Sequence, residues 1–252
     1  MPLNKMFIGP NQYAIDQYIA ATLPQSVFFF DPFNGASFGG TPADGTPIAS
    51  FTERYGRTAW DLSQASSTSR PLYKTNSGKP YLLYDGVDDV LFTAAVNSAS
   101  YFASSALTAI MMLFYTGPAD GNTKVAVKYL GATDPSRLLS ISVIGTTNNF
   151  LIDSGGNQTS KSSVFSTFKS CSVARSVGTS TKNISVNGVI EGSPQNASAV
   201  STASDNMYVG AYSNAVNLQF TGGIGEFIMF NTRLTDYQVN IISRYFMQRR
   251  GL

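Results

Sequence analysis

From Val27 onward the chain is cut into short apolar or alternating runs, with Gly, Pro, Asn or Asp between nearly all of them. The runs are Val27 to Asp31, Tyr81 to Tyr84, Val90 to Thr93, Leu107 to Tyr115, Lys124 to Leu130, Leu138 to Ile144, Phe150 to Asp153, Val164 to Arg175, Asn183 to Val186, Val189 to Glu191, Met207 to Gly210 and Phe220 to Phe230. Short strands at close spacing, with hardly a helix between them, specify an antiparallel sandwich or barrel rather than βαβ units. The clearest turn is Asn187-Gly188 in "VNGVI", because Asn-Gly supplies the positive φ values of a type I′ hairpin.

Two stretches carry a helical period instead. Ile15, Tyr18, Ile19 and Leu23 fall on one face between a candidate N-cap, Asn11, and the stop at Pro24. This short helix is either a lid over one end of the domain or an arm that docks on a partner. At the other end, "LTDYQVNIISRYFMQRRGL" opens with Thr235 and Gln238 at capping-box spacing. Val239, Ile242 and Phe246 share a face, Arg249 and Arg250 suit a helix C-terminus, and Gly251 can close it. The expected organisation is an arm or short helix over 1–24, then one all-β domain over 25–252 whose terminal helix covers 235–250.

The absence of histidine bears hardest on function. A Ser-His-Asp or Cys-His site cannot be built, and with Cys171 the only cysteine a zinc centre lacks ligands. Cys171 cannot form an internal disulfide and reads as a buried thiol. The net charge of +2 is scattered without a basic run, which argues against nucleic acid and anionic membranes. The opening "MPLNKMFIGPNQY" lacks the apolar region of a signal peptide, so synthesis in a cytoplasm is expected.

Three motifs invite chemistry. "YDGVDD" gathers Asp85, Asp88 and Asp89; it is either a turn whose carboxylates cap loop N–H groups or a calcium site shared with another loop, and no other cofactor is expected. In a regular strand Asp88 and Asp89 would point to opposite faces. "GASFG" at 35–39 has the outline of a nucleophile elbow but lacks both the following helix and a histidine base. The three glutamates, Glu53, Glu191 and Glu226, are too dispersed to make the closely paired carboxylates of a retaining glycosidase. Candidate ligand-binding aromatics are Trp60, Tyr208 and Tyr212, each also readable as packing.

The stretches "FFFD", "ADGTPIASF", "AWDLS", "SRPLY", "YDGVDDVL" and "GGIGEFIMFNTRLTDYQVNIISRYFMQRRGL", in this order, resemble the concanavalin A-like jelly rolls of the laminin-G-like superfamily. The resemblance is to the divergent copies found in phage and bacterial surface proteins, and it spans about Val27 to the C-terminus. It departs where Gly225 replaces the usual alanine and where Arg250-Gly251 replaces Trp-Gly. It implies a two-sheet jelly-roll sandwich, with Glu226 as a structural acid near the sheet. It also implies a non-enzymatic virion protein, in a capsid decoration, tail or fibre, whose partners are other virion proteins and further copies of itself, a trimer being the common form. The alternatives are an adhesin for host surface glycans and, more remotely, a glycan-cleaving enzyme.

Overall fold

The computed structural model describes residues 26–97, 101, 106–117, 122–129, 139–144, 149–154, 157–162, 167–175, 181–190, 195–196, 204–213 and 218–252. The helix expected over 11–23, and the 1–24 arm with it, lie outside the described residues. In chain order the strands are β1 (Ser26–Phe30), β2 (Ser50–Phe51), β3 (Leu62–Ser63), β4 (Leu72–Asn76), β5 (Lys79–Asp85), β6 (Leu91–Phe92), β7 (Val96–Asn97), β8 (Leu107–Tyr115), β9 (Thr123–Tyr129) and β10 (Leu139–Ile144). They continue with β11 (Asn149–Ser154), β12 (Asn157–Ser162), β13 (Lys169–Arg175), β14 (Thr181–Val186), β15 (Val189–Ile190), β16 (Gln195–Asn196), β17 (Ser204–Asp205), β18 (Met207–Val209) and β19 (Thr221–Phe230), and the helix α1 (Asp236–Arg249) follows.

One sheet runs β15-β14-β13-β8-β19-β5-β4, with β1 beside β19 and β16 beside β14. The second runs β12-β11-β10-β9-β18-β6-β3-β2, and β7 with β17 makes a small third. All named strand pairs are antiparallel. This is the two-sheet antiparallel sandwich that the run of short strands requires.

Alternation decides which face each side chain serves. From β1, Phe28 and Phe30 point between the sheets, where they join Met111, Leu113, Phe227 and Met229 of the first sheet and Val127, Ile141, Met207 and Val209 of the second. Phe29, one residue out of phase, points the other way and stacks on Phe246 of α1 at 5.9 Å between ring centroids. The same division runs through β8, whose Ile110 and Met112 face α1 while Ala109, Met111 and Leu113 face the core. That is why "LTAIMMLFY" reads as a continuous apolar run: both of its faces are covered. Each large apolar side chain so buried contributes about 1.5–3 kcal/mol before entropy is counted.

The helix begins and ends as its sequence specifies. Gln238 N–H donates to the Thr235 hydroxyl and the Gln238 side chain returns to the Thr235 N–H, a complete capping box. Gly251 takes φ +68, the left-handed conformation that closes a helix with least strain in glycine. At the hairpin between β14 and β15, Asn187 and Gly188 have φ 52 and 75, the two positive values of a type I′ turn.

β19 is the seam of the first sheet. Its first half pairs with β5 and its second half with β1, while β8 runs along the opposite edge. The register against β8 slips between Ile224 and Phe227, so Gly225 and Glu226 form a bulge.

Candidate functional site

Residues 86–88 bend and 89–90 are irregular rather than strand, so the strict alternation of a strand does not apply to Asp88 and Asp89. Asp85 Oδ1 accepts the Val87 N–H at 2.8 Å and that of Asp88 at 3.4 Å, Asp89 Oδ2 accepts the Asp85 N–H at 2.9 Å, and Asp88 Oδ2 accepts the Ser69 hydroxyl at 2.9 Å. Gly86, at φ +81, turns the chain so that Asp85 and Asp89 meet. One carboxylate oxygen from each of Asp85, Asp88 and Asp89 lies within 4.8 Å of the others. These are hard donors of the kind calcium takes, and an ion that prefers six to eight oxygens would draw the rest from carbonyls or water.

The three acids differ in burial: Asp85 is exposed, Asp88 intermediate and Asp89 buried. Burial lifts the Asp89 carboxyl to about 6; the neighbouring Asp85 and Asp88 charges add to the rise and the Asp85 N–H opposes it. This folded value lies above the ordinary aspartate value, so the native state holds the proton to higher pH than the unfolded chain does. The group's stabilising effect is therefore whole below pH ~4 and is lost as pH rises through about 6. Asp89→Asn is expected to melt above wild type at pH 7.5, by about 2–4 °C, and to differ little from it near pH 4. Thermal melts at the two pH values check this; an equal difference at both would show that the Asp89 charge is not the cause.

Of the candidate aromatics, the structure brings two together and removes the third. Tyr208 and Tyr212 flank Lys128, whose ammonium stands 5.4 Å and 5.2 Å from their ring centroids and 3.4 Å from Asp205. Tyr208 pairs across strands with Phe92 and with Lys128, on the face of the second sheet turned away from the core. Both tyrosines are half-buried, so ring surface remains at the exterior. Trp60 is corrected from ligand platform to core: it is 0% exposed, wedged against Phe28, Tyr101 and Tyr129 at 6.0, 5.2 and 5.3 Å.

The remaining buried acids hold the fold together. Glu53 accepts the N–H groups of Phe29, Tyr55 and Arg57, and so covers the open edge of β1. Burial raises its carboxyl above the usual range, against the pull of Arg57 and these three hydrogen bonds. Asp31 accepts Arg249 Nη2 at 3.0 Å, the Phe33 N–H, and Arg54 Nη1. Glu226 accepts Arg250 Nε at 2.8 Å and lies 3.7 Å from Arg249 Nη1. Burial opposes the charge on Arg249, but the Asp31 and Glu226 carboxylates outweigh it and raise that pKa above the usual arginine value. A Cβ on Gly225 would overlap the Arg250 guanidinium. Gly225 thus leaves the room that the Arg250 guanidinium occupies beside β19. Glu191 lies outside the described residues.

No family model matches the sequence, and no curated protein does. Among solved structures the chain is similar to Trypanosoma rangeli sialidase in complex with sialic acid, at TM-score 0.62 and 13% identity over 90% of this chain and 33% of that one. It is also similar to the botulinum neurotoxin serotype D binding domain, at TM-score 0.60 and 8% identity over 89% of this chain and 53% of that one. The fold is a lectin-like β-sandwich. At these identities the likeness shows the fold alone, and the chain spans about a third of the sialidase and half of the toxin chain.

Sequence reasoning missed the partnership of Asp31 and Glu226 with the two terminal arginines. The arginines read as helix-end cations, which they also are. Gly225, opposite them on β19, stood out in the sequence as a departure, but nothing local tied it to Arg250.

Proposed function

We propose that the chain is a non-enzymatic structural protein of a bacteriophage virion, a capsid-decorating, tail or fibre component built on the lectin-like sandwich. One observation carries this reading. The buried acids Asp31, Glu53 and Glu226 are committed to arginines and backbone N–H groups, and the exposed Asp85 and half-buried Asp88 sit in a hydrogen-bonded turn rather than across a cleft. The phage-type order of "FFFD", "SRPLY", "YDGVDD" and "GGIGEF" supports the same reading. The purified chain is expected to form a defined oligomer by light scattering and to rebind particles that lack it. A monomer that ignores those particles would reject the proposal, and turnover of a sialylated or other glycan substrate would reject its non-enzymatic part.

Tyr208 and Tyr212 around Lys128 favour a second reading, a carbohydrate-binding adhesin that recognises host surface glycans. Flat rings beside a few fixed polar groups suit a hydroxylated ring, and such shallow sites bind in the millimolar to micromolar range. Tyr208→Ala with Tyr212→Ala is expected to weaken glycan binding about tenfold, equivalent to about 1.4 kcal/mol, with the melting temperature little changed. Loss of the signal on chelation would assign calcium to Asp85, Asp88 and Asp89; its survival would remove calcium from this reading.

A further inference from the structure

A second aromatic site lies on the opposite side of the molecule, where α1 ends on the first sheet. Tyr81 of β5, Phe114 of β8 and Phe168 just before β13 meet edge to face, with centroids 5.5, 5.6 and 4.6 Å apart and ring planes 72–79° from one another. Strand β19 runs between β5 and β8, and a side chain there would normally hold Tyr81 and Phe114 apart. Gly223 supplies none: a Cβ at that position would overlap the Phe114 ring. The ring therefore lies across the strand and reaches Tyr81. Gly225 makes the same allowance for Arg250, whose guanidinium stands 4.1 Å from the centroid of Phe168 and is fixed by Glu226 and by the Pro80 carbonyl at 2.9 Å.

The result is a cavity of about 300 Å³ with an aromatic floor. Its rim is polar, with the Asn76 amide, the Ser77 hydroxyl and the Lys79 ammonium, and among the described residues none of the side chains lining it is acidic. Arg250 is matched by Glu226. Lys79 donates instead to the Arg250 carbonyl at 2.5 Å, which caps the helix end and leaves the ammonium's charge without a carboxylate in that contact. All three rings are half-buried, so their remaining surface faces the cavity mouth rather than the core.

We propose that this cavity binds one saccharide ring bearing a carboxylate, the apolar face of the ring on Tyr81 and Phe168 and the carboxylate at Lys79. The volume sits at the lower end of ligand pockets, which suits a single ring rather than a chain of them. An aromatic floor under a rim of amide, hydroxyl and ammonium donors matches a ligand that is apolar on one face and rich in acceptors at its edge. The proposal rests on the carbohydrate-binding reading and assigns that binding to a different surface from Tyr208 and Tyr212.

The test is an array of immobilised glycans carrying carboxylates, beside their neutral counterparts, probed with the full chain. Wild type is expected to bind the acidic set, Tyr81→Ala to lose at least tenfold, and Lys79→Gln to lose the preference for acidic over neutral glycans. Lys79→Gln removes the charge but keeps an N–H donor for the Arg250 carbonyl, so with an unchanged melting temperature it decides the matter even if Tyr81→Ala loosens the fold. Binding that Tyr208→Ala with Tyr212→Ala abolishes, but Lys79→Gln and Tyr81→Ala leave intact, overturns this cavity and keeps the carbohydrate reading. A signal from neutral glycans alone overturns the acidic assignment, and no signal from any glycan overturns both.

Discussion

Glu226→Ala is expected to lower the stability of the protein by about 3–5 kcal/mol, the usual result of removing one partner from a buried ion pair. In a domain of this size that is roughly 10 °C or more in melting temperature. The size of the effect follows from where the charge sits. Glu226 is 0% exposed at the bulge of β19, and its carboxylate faces Arg250 directly and Arg249 at 3.7 Å. Without it, among the described residues, Arg250 keeps the Pro80 carbonyl but no carboxylate, and Arg249 keeps Asp31 as its one carboxylate. Both guanidiniums belong to the end of α1, so the helix should loosen first from the sheet at that end. Glu226→Gln keeps the shape and an acceptor for Arg250 Nε, and should cost less. Urea unfolding of the three proteins checks the order; two variants indistinguishable from wild type would mean that the cluster adds nothing to stability.

Trp60→Ala is expected to cost a similar ~3–5 kcal/mol for a different reason, the loss of a large core side chain and the cavity it leaves. Trp60 ends a short 3-10 turn, Thr58–Trp60, and its indole fills the space between Phe28 of the first sheet and Tyr129 of the second. Few side chains are large enough to bridge these layers, so the neighbours cannot collapse to close the gap. The same variant separates packing from recognition. Measured below its own melting temperature, Trp60→Ala should bind glycans as wild type does if wild type binds them; a selective loss of binding with stability unchanged would return Trp60 to the ligand surface.

The strands with strong apolar character were legible, and so was the terminal helix. β8, β10 and β19 begin and end within a residue or so of the runs Leu107 to Tyr115, Leu138 to Ile144 and Phe220 to Phe230. β12, with the sequence "NQTSKS", was not, because its pairing to β11 comes from backbone hydrogen bonds and carries no apolar alternation. The run Val164 to Arg175 overreached for the converse reason: Phe168 is apolar yet precedes β13, serving the aromatic floor beside the helix. Pairs distant in sequence were beyond a one-dimensional reading. Asp31 and Arg249 meet across 218 positions, and nothing local to either announces the other. Tyr208 and Tyr212 were nameable as aromatics near polar neighbours, whereas Lys128, which joins them, belongs to a strand some eighty positions away.

Strand β19 also fixes when this protein can finish folding. Among the described residues, Phe28, Phe29 and Phe30 have no strand partner until residues 227–230 arrive, and Phe29, beside Tyr55, is not stacked on the helix until Phe246 is made. Synthesis runs from the N-terminal side, so the three phenylalanines wait for about two hundred further residues before β19 pairs with them. Long-range pairing of this kind is slow to form and leaves sticky surface exposed meanwhile. A chain cut before residue 221 would lack the strand that pairs with β1, and would leave that edge and its phenylalanines open to aggregation or proteolysis.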